Sequence, residues 1–304
     1  MTVVFLTLIV VAVALSITPI AAAPRTEFAV IPDVKDDWLS AGVAFDLEKR
    51  LGRLPTLEAA DRMTVATAMQ NAASGDASSR VRAVIEKTGA RLVLCISALS
   101  TGDGLTLRLD LWAINRPGAP LALSSKRSAA YRRAFERKGA REDLFKLVDR
   151  LVDDILPELD KAGIDVGKPE SVPGLKWWPC RSVAAYEDLI SGMVLLQKGD
   201  VSHAKPRLLK TLSAEPDNWF ARYFLGAVML YQGDIAKAAG YCREAISLNP
   251  EVYAGVYANL SYCYAAMGDD KQADWAKAQF ERRAGKPLPA RTVPGGMPMF
   301  GTRP

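Results

Sequence analysis

The chain of 304 residues contains a single histidine, His203. Ser-His-Asp catalysis and most zinc sites depend on histidine, so this scarcity argues against both. The four cysteines include no C-x-x-C pair, the spacing of many zinc and thioredoxin-type redox sites. No segment has the density of Lys and Arg of a nucleic-acid-binding arm. We therefore expect no catalytic constellation, no metal, no cofactor and no nucleic-acid partner.

Long apolar runs are also missing, with one exception at the amino terminus. Residues 3–20 are almost wholly apolar, and the small residues Ala21-Ala22-Ala23 follow them. This pattern predicts a secretory signal peptide over residues 1–23 and export, in a bacterium to the periplasm. Because no Lys or Arg precedes the run, an uncleaved membrane anchor is the alternative.

The remaining chain has the composition of a globular protein, with 49% apolar and 24% charged residues, and room for about two domains. Over residues 24–161, strand-like and helix-like segments alternate in the order β-α-β-α-α-β-β-β-α, with the last strand placed at Leu121–Lys126. This order predicts an α/β or α+β sheet domain with helices packed on it. Pro and Gly punctuate residues 162–181, which predicts a linker. We expect Trp177 and Trp178 of this linker to pack against a flanking domain; an exposed partner anchor is the alternative.

Several short motifs of this first domain resemble a known group. They are Phe28-Ala-Val-Ile-Pro32, Gly42 followed by Leu47 in a helix, Gly89-Ala-Arg-Leu-Val-Leu94 and Leu109-Asp-Leu-Trp112. On these motifs, residues 24–161 resemble the amino-terminal domains of TolB and of the flagellar outer-membrane protein FlgO. They are also similar to the α/β modules that precede tetratricopeptide (TPR) arrays in bacterial proteins. The resemblance implies a domain that docks to another envelope component, and it carries over no catalytic residues.

The carboxy-terminal half aligns with itself at an offset of 34 residues. Five small or turn residues recur at this offset: Gly192 and Gly226, Gly199 and Gly233, Asp200 and Asp234, Ala204 and Ala238, Pro216 and Pro250. A period of 34 is the TPR signature, in which each unit is a helical hairpin that buries its apolar face against the next unit. We therefore predict an all-α TPR array over residues 182–283, with units at 185–218, 219–252 and 254–283.

The TPR pattern also predicts which residues line the concave groove, where such arrays bind peptides or helices. They are Tyr186, Leu189, Met193, Gln197, Phe220, Tyr223, Ala227, Tyr231, Ala258, Tyr262 and Ala266. The set is apolar and aromatic, and the Lys and Asn residues of a carboxylate clamp are missing. We expect an apolar segment of a protein partner here. The alternative is that much of the stripe is core or is covered by the chain's own carboxy-terminal tail.

Cys242 and Cys263 fall on helices that are neighbours in a TPR stack. We predict a disulfide between them, which in an oxidising compartment could add roughly 3 kcal/mol of stability. Two buried free thiols are the alternative.

The interpretation of two further segments follows from their composition. Residues 126–141 hold seven basic residues, which predicts a solvated helical face; weak contact with anionic lipid or with an acidic partner is the alternative. Residues 284–304 contain five prolines and four glycines, which predicts a disordered tail.

These patterns together favour a non-enzymatic, exported protein-protein interaction scaffold. A small-ligand sensor that binds its ligand through the α/β domain is the alternative function.

Overall fold

A computed structural model describes residues 25–32, 37–72, 76–114, 130–169, 172, 175, 178–249, 253–285 and 287–288. The predicted signal peptide, Trp177 and the tail beyond residue 288 lie outside these residues. None of the described helices is long and apolar enough to cross a membrane.

The first domain is built on a five-stranded mixed sheet in the order β2-β1-β3-β4-β5. Strands β1, β2 and β3 run parallel, whereas β3-β4 and β4-β5 are antiparallel. The elements are β1 (Thr26–Pro32), α1 (Asp37–Leu51), β2 (Leu57–Ala59), α2 (Arg62–Asn71), α3 (Ala77–Thr88), β3 (Leu92–Thr101), β4 (Gly104–Ile114), β5 (Ala130–Ala140), a 3-10 turn (Arg141–Asp143) and α4 (Leu144–Lys161). The predicted sheet domain with packed helices is confirmed, and its last described strand, β5, lies beyond the position predicted for the last strand.

Helices cover the sheet on both faces because its inner strands are apolar on both faces. Helices α1 and α4 share a core with Leu105, Leu107, Leu109 and Leu111, which alternate along β4. Helix α3 packs on the opposite face, where Val93 and Cys95 of β3 belong to a second, smaller core. Helix α1 is therefore fixed to the sheet along one side, which leaves its other side for a different contact.

The basic stretch at 126–141 was predicted to form a helical face. This prediction is wrong for residues 130–140, which form strand β5. The strand period of two divides its charges between the two faces of the sheet. Arg137 and Arg133 pair with Asp154 and Glu158 of α4. Lys126 and Arg127, with the strand predicted at 121–126, lie outside the described residues. Contact of this stretch with anionic lipid stays a prediction.

The carboxy-terminal half consists of three stacked helical hairpins, as the 34-residue period predicts. The helices are α5 (Val183–Gln197), α6 (Val201–Ala214), α7 (Trp219–Gln232), α8 (Ile235–Leu248), α9 (Ala254–Ala266) and α10 (Asp270–Ala284). The two helices of a hairpin cross closely at glycine: a Cβ atom at Gly192 would lie 2.8 Å from Leu208 Cγ. Gly233 ends α7 at a φ of 78°, and the Asp234 side chain then caps α8.

The last of the described helices, α10, has a polar outer surface. At the positions that correspond to Ile235, Ala239 and Ile246 of α8, it carries acidic residues, namely Asp270, Asp274 and Glu281. The three α8 residues are buried or half-buried, whereas Asp270 and Asp274 are exposed. Repeat arrays need such a polar outer face at their ends to remain soluble. Helix α10 therefore serves as the capping helix of the array.

Candidate functional site

Helix α1 of the sheet domain lies on the first two hairpins of the array, against α5 and α7. It approaches α5 at Gly42, where a Cβ atom would lie 2.8 Å from Tyr186 Oη and 3.1 Å from Ile190 Cγ1. One turn further along α1, the Phe45 ring lies 5.6 Å from the Phe220 ring. Only glycine permits this approach without a shift of the Tyr186 and Ile190 side chains. The array and the sheet domain consequently share one continuous apolar core.

Burial divides the predicted groove into a closed part and an open part, and α1 contacts Tyr186 and Phe220 of the closed part. Seven of its residues are at most 4% exposed: Tyr186, Leu189, Met193, Phe220, Tyr223, Ala227 and Ala258. Tyr231 and Tyr262 are half-buried, and Gln197 and Ala266 are exposed. A partner could therefore reach only the second set while α1 stays in place. The second set lies toward the carboxyl ends of α5, α7 and α9.

A buried carboxyl group lies in the closed part. Tyr186 Oη donates a hydrogen bond of 2.6 Å to Asp46 Oδ2, although the two residues are 140 positions apart in the chain. Asp46 is 1% exposed, and its Oδ1 atom has no hydrogen-bond partner among the described residues. Burial raises the pKa of Asp46 to about 7, and burial also raises the pKa of Tyr186 well above its usual value.

A second charged group, Arg50, is buried one turn further along α1. It is 1% exposed, and its Nη1 atom donates to Asp149 Oδ1 of α4 at 2.6 Å. Its guanidinium lies 4.4 Å from the centre of the Trp178 ring, in cation-π geometry. Trp178 also donates from Nε1 to Asp149 Oδ1 at 3.3 Å. The expected packing of Trp178 is confirmed, since this linker residue contacts α1 and α4.

Hydrogen bonds fix the end of the linker to the array. Glu215 Oε1 accepts from the backbone N–H groups of Arg181 and Ser182, at 2.8 and 3.1 Å. Asn218 Nδ2 donates to the Pro179 carbonyl at 2.7 Å and lies 3.4 Å from Cys180 Sγ. Burial raises the pKa of the Cys180 thiol. Residues 178–181 of the linker therefore pack into the interface between the two domains. We call this interface the joint; it also includes Gly42, Phe45, Asp46 and Arg50 of α1, and Tyr186 and Phe220 of the array.

All four cysteines are buried, and the structure shows no disulfide bond between them. Cys242 and Cys263 are both fully buried, and burial raises the pKa of Cys242. The disulfide between Cys242 and Cys263 stays a prediction, as does the alternative of two buried thiols.

The spacing of residues along α1 gives this helix two different faces. Gly42, Phe45, Asp46 and Lys49 are spaced at i, i+3, i+4 and i+7, which places them on one face of a helix. Val43, Leu47 and Leu51 form the sheet-facing side of α1 and belong to the core. A helix with two such faces requires two different neighbours, and the array is the second one.

A mixed-sheet domain joined to three stacked helical hairpins defines a two-domain repeat protein with a TPR-like array. Among solved structures, a crystal structure of MamA matches with 18% identity over 46% of this chain and 89% of MamA, at a TM-score of 0.31. A crystal structure of PilW, a widely conserved type IV pilus biogenesis factor, matches with 20% identity over 46% of this chain and 59% of PilW, at a TM-score of 0.30. Likenesses of this size carry nothing about function. No protein-family model and no curated protein sequence matches the chain.

Proposed function

We propose that this chain is a non-enzymatic, exported interaction scaffold whose TPR-like array binds an apolar segment of an envelope partner. One observation supports the proposal: helix α1 packs against Tyr186 and Phe220, two of the residues that the repeat pattern predicts for the groove. It does so with a close approach at Gly42, a ring contact to Phe220 and a hydrogen bond from Tyr186. These are the means by which helical grooves bind amphipathic helices.

The open part of the groove is the surface that we assign to the partner. Tyr231 of α7 and Tyr262 of α9 are its aromatic residues, and both pack with part of their surface on the core. Gln197 and Ala266 add uncharged surface at the ends of α5 and α9. Because no member of this set is charged, we expect an apolar segment with an aromatic or aliphatic anchor, rather than a terminal carboxylate.

The first prediction concerns these two tyrosines. In a cross-linked pull-down from an envelope extract, we expect the double variant Tyr231→Asp with Tyr262→Asp to capture at least about tenfold less partner than the wild type. The physical reason is that two carboxylates would have to be desolvated against an apolar segment. Tyr223 is unsuitable for this test because it is only 4% exposed and its replacement would disturb the core.

The matched control changes two leucines on the second helices of the hairpins. Leu209 of α6 and Leu248 of α8 are each 43% exposed, so Leu209→Asp with Leu248→Asp adds the same charges outside the groove. We expect this control to capture the partner as the wild type does, with both variants folded by circular dichroism. Equal capture by all three baits would contradict the proposed site.

The second prediction tests export, which rests on residues 1–23. We expect the protein purified from its native host to have the mass of a chain that begins at Ala23 or Pro24. A fusion of residues 1–40 to a phosphatase that is active only outside the cytoplasm should be active, and one that starts at residue 24 should be inactive. A full-length mass with an active fusion would instead indicate the uncleaved anchor. Two inactive fusions would exclude export.

A further inference from the structure

The buried acid of the joint has surroundings that suit a protonated carboxyl better than a carboxylate. Tyr186 is its single hydrogen-bond donor among the described residues, and the other carboxyl oxygen has none. The titratable and charged groups that face Asp46 come from α5, α1, α4 and the linker: Tyr186, Arg50, Asp149 and Cys180. A carboxylate that leaves water for such a site loses more hydration than one bond returns.

The nearby cation does not remove this cost. Arg50 is held at 2.6 Å by Asp149, which carries the opposite charge and itself disfavours ionisation of Asp46. The pair as a whole is close to neutral, so its net field at Asp46 is small. Asp46 is also placed where ionisation would matter most, because its hydrogen bond joins the two domains directly.

We propose that the Asp46–Tyr186 contact is a proton-dependent latch. The joint holds α1 firmly on the array while Asp46 carries a proton, and it loosens when Asp46 ionises. Loosening would expose the groove residues that α1 contacts, Tyr186 and Phe220, to the partner of the proposed function. This last consequence rests on the proposed function, whereas the latch itself does not.

The direction of the effect follows from linkage. In the closed joint the pKa of Asp46 is about 7, against an ordinary value of 3.8 once the group is hydrated. The closed state therefore binds the proton more tightly, and closure is favoured at low pH. The equilibrium constant for closing the joint should fall about tenfold for each pH unit between pH 3.8 and about pH 7, which is about a thousandfold in total. Above pH 7 it should stay constant.

The experiment is amide hydrogen exchange on the full-length chain at pH 5 and pH 8, beside Asp46→Asn. Asparagine keeps the shape and can accept the Tyr186 hydrogen bond, but it does not ionise. Between pH 5 and pH 8, we expect the exchange protection of α1 and α5 in the wild type to fall about a hundredfold relative to that in Asp46→Asn. Comparing the two proteins at the same pH removes the intrinsic pH dependence of exchange. Protection of β3 and β4 should be the same in both proteins.

Two results would overturn the latch. One is the same pH dependence in Asp46→Asn and the wild type, and the other is a loss of protection shared equally by all elements, which indicates global unfolding. If Asp46→Asn does not fold, Tyr186→Phe replaces it. That variant loses the bond that favours the carboxylate, so its transition should move to higher pH, and an unchanged transition would also refute the proposal. Because no partner takes part, failure here leaves the Tyr231 and Tyr262 experiment unaffected.

Discussion

Replacement of Phe220 by alanine is expected to lower the free energy of unfolding by about 3–5 kcal/mol, the usual cost of truncating a buried phenylalanine. Phe220 is 1% exposed and lies at the centre of the joint. Its ring contacts those of Phe45 on α1, Trp219 and Phe224 on α7, and Tyr253 before α9, with centroid distances between 4.7 and 5.6 Å. These neighbours belong to three different parts of the fold, so they cannot collapse together into the cavity.

The measurement is urea unfolding followed by circular dichroism, with Trp275→Ala as the control. Trp275 is also an aromatic residue of a helix in the array, but it is 44% exposed on α10. We expect its truncation to cost less than about 1 kcal/mol. A loss at Phe220 no larger than that at Trp275 would show that the sheet domain and the array do not depend on a shared core.

The array could be predicted from the sequence because its determinants are local and periodic. Gly192 and Gly226 recur where paired helices cross, and Asp200 and Asp234 recur where the second helices begin. Each of these residues has the same structural role in each hairpin. A single offset of 34 residues is therefore enough to predict the fold of the array. The sheet domain was predictable for a related reason, since buried and more exposed residues alternate along β4 from Leu105 to Leu111.

The joint could not be predicted in the same way because it depends on pairs that are distant in sequence. Asp46 and Tyr186 are 140 positions apart, and neither carries a local signal of burial. An apolar stripe along α5 and α7 is equally consistent with a groove for a partner and with a seat for a helix of the same chain. The second face of α1 decides between these two possibilities, because it packs on the array. This role of α1 cannot be recognised from either domain alone.

Strand β5 was mispredicted because charge and secondary structure gave conflicting signals. Arg132, Arg133, Arg137 and Lys138 are dense enough to suggest a solvated helix. The outermost strand of a sheet tolerates such residues, since charges on an edge discourage pairing with other chains. Pairing of β5 with β4 and the ion pairs to α4 then outweigh its weak strand propensity.

The largest electrostatic effect is expected at Arg50, where Arg50→Ala should lower the free energy of unfolding by about 3–5 kcal/mol. The change leaves Asp149 without its cation and removes the guanidinium that packs on Trp178. The exposed pair of Arg181 with Asp217 is the control, because its side chains are 71% and 54% exposed; we expect Arg181→Ala to cost at most about 1 kcal/mol. Arg50→Met separates packing from charge: a smaller loss than in Arg50→Ala would assign the difference to packing around Trp178. Equal and small losses in Arg50→Ala and Arg181→Ala would mean that water reaches Arg50, and the joint would then be more open than its 1% exposure indicates.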